Sequence, residues 1–121
     1  MHSIRKDTKN NRLYITLHEI ISFEEAQKVK EQLFKDIEDL QPGFDVINDI
    51  SKLVNADEKA AKFIEEVDKY FVIKKVKKII RVVGPSKTGL MLFAKYSPQI
   101  ESIDIKYVPT LKEAEEMLDQ S

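Results

Sequence analysis

The sequence predicts a single α/β domain over residues 1–121: a mixed, mostly parallel sheet of four to five strands, opened by a hairpin and covered by about four helices. Three observations carry that expectation. Strand-like and helix-like apolar patterns alternate along the chain, the order that builds a parallel sheet with helical crossovers. Two Ser/Thr-x-x-Glu signatures, at Ser22 and Thr110, mark helix starts. A length of 121 residues with no linker-like stretch and no internal repeat suits one unit, whose folding buries about two thirds of the surface its unfolded chain exposes.

Each element follows from its own pattern. Leu13 to Leu17 alternates apolar and polar residues as a half-buried strand does, and the polar DTKNN before it turns back from a short strand around Ser3 to Lys6. Ser22 then opens a helix over about 22–41, with Ala26, Val29, Leu33, Ile37 and Leu40 at helical spacing and Pro42-Gly43 as its stop. Phe44 to Ile50 is short, apolar and rich in Val and Ile, which suits a buried strand. Ala60, Phe63, Ile64, Val67, Tyr70 and Phe71 recur at i, i+3, i+4 and i+7, predicting a second amphipathic helix over about 57–73. Val76 to Val83 returns to strand character and ends at Gly84-Pro85. Leu90, Phe93 and Ala94 share one face of a third helix over about 87–97, with Ser86 as its N-cap and Ser97-Pro98 as its close. Ile103 to Val108 reads as the last strand, and Thr110 opens a terminal helix to about residue 120 with Ala114, Met117 and Leu118 inward.

Composition excludes several functions. Twenty Lys and Arg against 21 Asp and Glu leave no global field to attract nucleic acid or an anionic membrane. No cysteine is present, so disulfides, thiol catalysis and thiolate zinc sites are excluded together. No apolar stretch approaches the roughly 18 residues a membrane span needs, and MHSIRKD has no signal-peptide core, which makes the expected location cytoplasmic. His2 and His18 stand in no metal-ligand spacing. Gly84-Pro85-Ser86-Lys87-Thr88-Gly89 begins like a phosphate loop, but Leu90-Met91 replace the required Lys and Ser/Thr, leaving a capped strand-to-helix turn. Lys74, Lys75, Lys77, Lys78 and Arg81 form the one basic cluster, which without interleaved aromatics suits a cationic helix end leading into a solvated strand. No nucleophile, base and orienting group can be named together, so the expectation is a protein that is not an enzyme and uses no cofactor.

The words "SFEEAQKVKEQL", "VINDISKLVNADEKA", "KKIIRVVGPSKTGLMLFAKY" and "YVPTLKEAEEML", in this order after the strand Leu13 to Leu17, resemble the STAS domain, the module of anti-sigma factor antagonists and sulfate transporters. The resemblance spans nearly the whole chain. In that family a strand of the type hhhDhS leads, through a hydrophobic pair and a turn, to Asp-Ser-Ser/Thr-Gly-Leu at a helix start, and the first serine is a phosphorylation switch. Asp49 and Ser51 match the strand end, and Asp57 matches the motif aspartate. Glu58 falls on the phosphoserine, Lys59 on its neighbour and Ala60 on the glycine, so the switch hydroxyl is missing.

The resemblance implies a regulatory, protein-interaction domain without phosphoswitch control. Its docking residues would be Asp49, Ser51, Asn55, Asp57, Glu58 and Lys59, and its partner another protein or a second copy, with no nucleic acid involved. Glu58 has two readings: a permanent anion in place of the phosphate, or a charge that favours the exposed N–H groups of a helix start. STAS-like folds also resemble α/β domains that carry lipids or small apolar ligands. Phe63, Tyr70, Phe71, Phe93 and Tyr96 could line such a pocket, or could be filled core.

Overall fold

In a computed structural model that describes residues 1–85, 87–97 and 103–120, the chain runs β1 (His2–Asp7), β2 (Arg12–Ile21), α1 (Phe23–Ile37), β3 (Asp45–Ala56), α2 (Glu58–Ala61), α3 (Phe63–Ile73), β4 (Lys78–Val82), α4 (Lys87–Tyr96), β5 (Asp104–Val108) and α5 (Leu111–Asp119). The five strands form one sheet in the order β1-β2-β3-β4-β5. β1 is antiparallel to β2, as the opening hairpin requires, and each later pair is parallel. Because every crossover steps to the next strand in the same direction, the right-handed rule places α1, α2 with α3, and α4 on one face. There Val29, Leu33 and Ile37 of α1 and Phe71 of α3 pack on Leu13, Ile15, Val46 and Ile79. The terminal α5 covers the other face, where Ala114 and Leu118 meet Ile47, Ile80, Val82 and Val108.

The predicted caps form. Ser22 Oγ accepts from the Glu25 N–H and Thr110 Oγ1 from the Glu113 N–H, each at 3.2 Å. The Glu25 carboxylate is bound instead by His2 Nδ1 at 2.8 Å, which ties β1 to the start of α1. The expected N-cap Ser86 and the stop at Pro98 lie outside the described residues.

Several boundaries differ from the sequence pattern, and β2 runs on from Leu17 to Ile21. α1 ends at Ile37 rather than near residue 41, because Asp39 and Leu40 donate to Asp36 and Ile37 in tightened turns while Leu40 stays buried and so extends the apolar spacing. The predicted 57–73 helix is α2 and α3: the hydrogen-bond ladder lapses at Lys62, whose torsions remain helical (φ −63°, ψ −23°). β4 begins at Lys78 because Val76, although buried, donates its N–H to Phe71 O and closes the end of α3. Finally, β3 runs six residues past Ile50, to Ala56, which sets the shape of the site.

Candidate partner-docking site

The stretch from Ser51 to Ala56 is strand because β2 also runs longer than its apolar core and offers it a partner out to Ile21. Pairing is interrupted twice. Thr16 stands opposite Asp49 and His18 opposite Lys52, so β3 carries an extra residue at this step. Asp49 repairs the break: its Oδ1 accepts from the Ser51 N–H at 3.0 Å and from Ser51 Oγ at 2.6 Å. A side-chain acceptor thus serves a backbone donor at a gap in the ladder. The second irregularity falls between Glu19 and Ile20, where Glu19 adopts φ +57°. That left-handed conformation costs a non-glycine residue on the order of 1 kcal/mol or more, and it re-aims the side chains that follow.

Beyond the second break, Ile20 pairs with Asn55 and Ile21 with Ala56. Ile21 and Leu53 turn inward, whereas Ile20 and Val54 point to solvent, each 63% exposed. Asn55 Oδ1 accepts from the Ala56 N–H at 2.8 Å, and the Asp57 N–H donates to Ile21 O at 3.0 Å, ending the strand. Asp57 is the N-cap of α2, its Oδ1 accepting from the Lys59 N–H at 2.9 Å. Lys52, Asn55, Asp57, Glu58 and Lys59 are all exposed. Glu58 is the first residue of α2, and its carboxylate makes no hydrogen bond or ion pair among the described residues.

The six residues expected to dock therefore divide. Asn55, Asp57, Glu58 and Lys59 share one exposed edge, whereas Asp49 and Ser51 are half-buried, bonded to each other and shape the strand beneath it. Ile20 and Val54 are not marked by the sequence pattern, in which the strand-like apolar runs end at Leu17 and Ile50; the alternation of Leu53 with Val54 is the one signal of the longer strand.

Two glycines seat α4 against this strand. A Cβ on Gly84 would lie 2.8 Å from Ser51 Cβ, and Gly84 takes φ +54°, so both space and conformation require glycine. A Cβ on Gly89 would lie 2.8 Å from Ile50 O, so the helix approaches the sheet as closely as backbone allows. Gly84 and Gly89 thus serve close packing of α4 on β3.

Behind the edge lies a partly polar interior. Arg81 was expected in a solvated basic cluster but is 1% exposed, because its side chain turns into the helical face of the sheet. Its Nη2 binds both Asp68 carboxylate oxygens at 3.2 and 3.0 Å, its Nη1 binds Ser97 Oγ at 2.9 Å, and its guanidinium lies 4.8 Å from the Phe93 ring centroid. Next to this network is a cavity of about 70 Å³, lined by residues that include Asn48, Asp68, Phe63, Phe71 and Phe93. Of the five aromatic residues offered for a pocket, Phe63, Phe71 and Phe93 reach it. Tyr70 stacks on Phe34 and donates its hydroxyl to Glu38, and Tyr96 is not among the lining residues.

No protein-family model and no curated protein matches the chain in sequence. Solved structures do match. The anti-sigma factor antagonist SpoIIAA in its unphosphorylated form superposes with a TM-score of 0.69 at 13% identity, over 100% of both chains. The chain has a STAS-like fold. The phosphorylated form of the Bacillus SpoIIAA gives a TM-score of 0.67 at 12% identity, covering 98% of this chain and 99% of that one. An uncharacterised Shewanella loihica protein with a SpoIIAA-like fold gives 0.65 at 14% identity, covering 98% and 92%. This STAS-like domain has no helix among its described residues long and apolar enough to cross a membrane.

Proposed function

We propose that this STAS-like domain is a non-enzymatic regulatory module, cytoplasmic in location, that docks a protein through the edge formed by the second half of β3 and the start of α2. One observation carries the reading: two aliphatic side chains, Ile20 and Val54, stand 63% exposed beside the polar and charged rim Asn55, Asp57, Glu58 and Lys59. An apolar centre with a polar rim is the composition of a protein interface, and the β-bulges that expose it are local exceptions to a regular ladder. SpoIIAA is an anti-sigma factor antagonist with a phosphorylated form. Here the position that resembles its family's switch serine is Glu58, which offers no hydroxyl, so docking at this edge is constitutive. Asp57 caps α2 through the Lys59 N–H, so the exposed Glu58 carboxylate, in the first turn, contributes there through its charge alone and is open to a partner.

The test is capture from the native host's lysate with the immobilised domain, run in parallel with Val54→Glu, Glu58→Lys and, as a control on exposed α5, Lys112→Glu. At matched folded concentration, Val54→Glu and Glu58→Lys should lose the partner that the parent and Lys112→Glu retain. Retention by all four would remove the docking function from this edge. Sedimentation of the purified domain decides whether the partner is a second copy.

A further inference from the structure

We infer that α2 is a plate hinged at Lys62 that moves inward over an unfilled cavity, so that Glu58 and Lys59 on its outer side have two positions. Small side chains leave the space beneath it: Ala26 of α1, Ala56 at the end of β3, and Ala60 and Ala61 of α2 all line the cavity. Its volume of about 70 Å³ is several times the roughly 10–15 Å³ that one water requires. Little in its wall would hold water there. Asn48 and Asp68 are the only lining residues with polar side chains, and both Asp68 oxygens are engaged by Arg81 and Ser97. Asn48 Oδ1 and Arg81 Nε, on register neighbours of β3 and β4, are unpartnered among the described residues, but packing encloses both and leaves them almost no accessible surface. A dry void forfeits contacts for every atom that lines it, and a conformation that closes it recovers them.

The ties on either side decide which element moves. From Phe63 onward α3 is anchored: Phe63 stacks on Phe23 of α1 at 5.4 Å, Glu66 binds Lys30 at 3.0 Å, and Asp68 binds the buried Arg81. Before α2, the Asp57 N–H is held by Ile21 O at 3.0 Å. Between these points no side chain of α2 makes a hydrogen bond or an ion pair among the described residues. The helical ladder lapses at Lys62, which gives the start of α3 no side-chain cap. A segment with so few ties, seated on alanines over a void, belongs to the least stable part of a structure and opens or shifts before the rest. Inward movement of α2 draws Glu58 and Lys59 with it and so alters the edge beside Val54. That consequence for docking rests on the function proposed above, whereas the movement itself requires no partner.

Pressure favours whichever conformation holds less void. Closing the whole cavity would reduce the molar volume by about 40 mL, enough to shift the balance by up to roughly 25-fold at about 2 kbar. Amide resonances of the full chain, followed by NMR over that pressure range, should therefore shift with reversible curvature at residues 57–62 and linearly in β1 and α5. Ala61→Val, which fills the space from α2 itself, should make the α2 response linear, and Ala56→Val, at a half-buried strand position, serves the same purpose if the first variant does not fold. Linear shifts at residues 57–62 in the parent, curvature spread equally over α2, β1 and α5, or α2 curvature unchanged in a folded filled variant would each overturn the movement. Curvature confined to the methyl groups that line the cavity, with linear α2 amides, would mean that pressure drives water in, and would overturn it as well. Capture by Val54→Glu and Glu58→Lys tests docking separately, so α2 curvature in a domain whose capture ignores those substitutions would leave the hinge standing and remove the docking edge.

Discussion

The two halves of β3 obey different rules. From Asp45 to Asp49 the strand pairs with β2 and β4 in unbroken register, and Val46 and Ile47 are buried on opposite faces of the sheet. From Ser51 to Ala56 it pairs, among the described residues, with β2 alone, through two irregularities, and presents Lys52, Val54 and Asn55 to solvent. The first half has a strand on both sides and helices on both faces. The second projects past the end of β4 at Val82, and only its Leu53 side returns to the core. A parallel strand that outruns its neighbour is free of the packing that fixes the rest of the sheet, and can carry side chains chosen for another molecule. Substitutions in the two halves should accordingly separate stability from docking.

The largest loss of stability is expected at Ile47→Ala in the first half. Ile47 is 1% exposed and packs with Ile80, Val82, Val108 and Leu118, so truncation removes transfer energy and leaves a cavity, for about 2–5 kcal/mol. Denaturant unfolding measures it, and capture by the remaining folded protein should be unchanged. Next is Gly84→Ala, at the join between the halves. The new Cβ would strain a positive φ and press on Ser51, costing about 1–3 kcal/mol. Because Ser51 belongs to the bulge clamp, this variant should also weaken capture, whereas Ile47→Ala should not. If both variants behaved alike, the division of β3 would be wrong.

The same division explains what could be foreseen from sequence. Strands and helices with a continuous apolar face were legible: Val46, Ile47 and Ile50 announce a buried strand, and the caps at Ser22 and Thr110 stand where their signatures place them. The second half of β3 was not. Ser51, Lys52, Asn55 and Asp57 read as turn chemistry because their polar side chains face solvent or each other, and the pairing that makes them strand is supplied by β2, more than thirty residues earlier. Arg81 was misplaced for a related reason. A cation among lysines looks solvated until Asp68, thirteen residues away on α3, brings the counter-charge that allows burial. The edge residues Asn55, Asp57, Glu58 and Lys59 came from family resemblance, and the exposed apolar pair beside them only from the register.

A smaller effect, confined to the first half, is set by pH. Asp45 lies across from Arg12 on β2 and Lys78 on β4, yet burial raises its carboxyl above the ordinary value of 3.8, the nearby cations offsetting only part of that shift. Its Oδ1 has no hydrogen-bond partner among the described residues. A carboxyl with a raised folded-state pKa binds its proton more tightly folded than unfolded, so its contribution to stability falls as pH rises from the unfolded value through the folded one. Asp45→Asn should therefore raise the melting temperature modestly at pH 7, with the gain shrinking as pH falls and gone below about pH 3.8. A gain that persisted in acid would mean the side chain acts through packing rather than charge.

The smallest stability change is expected from Val54→Glu, which is why it carries the most information about the second half. Val54 is 63% exposed, so replacing it removes little buried area, and a surface substitution of this kind usually changes stability by no more than about 0.5 kcal/mol. Its flank is strand whose neighbours Leu53 and Ile21 hold the inner face, and neither is touched. If Val54 is the apolar centre of a docking edge, the added charge must be desolvated against the partner's matching surface, and capture should be lost although folding is intact. Glu58→Lys refines the result. A loss of capture comparable with that of Val54→Glu would show the partner reading charge at the start of α2 as well as apolar contact at the end of β3. Capture unchanged by Glu58→Lys but abolished by Val54→Glu would reduce the interface to the Ile20 and Val54 pair, and the glutamate at the position resembling the family's phosphoserine would then be an exposed residue of α2 with no part in docking.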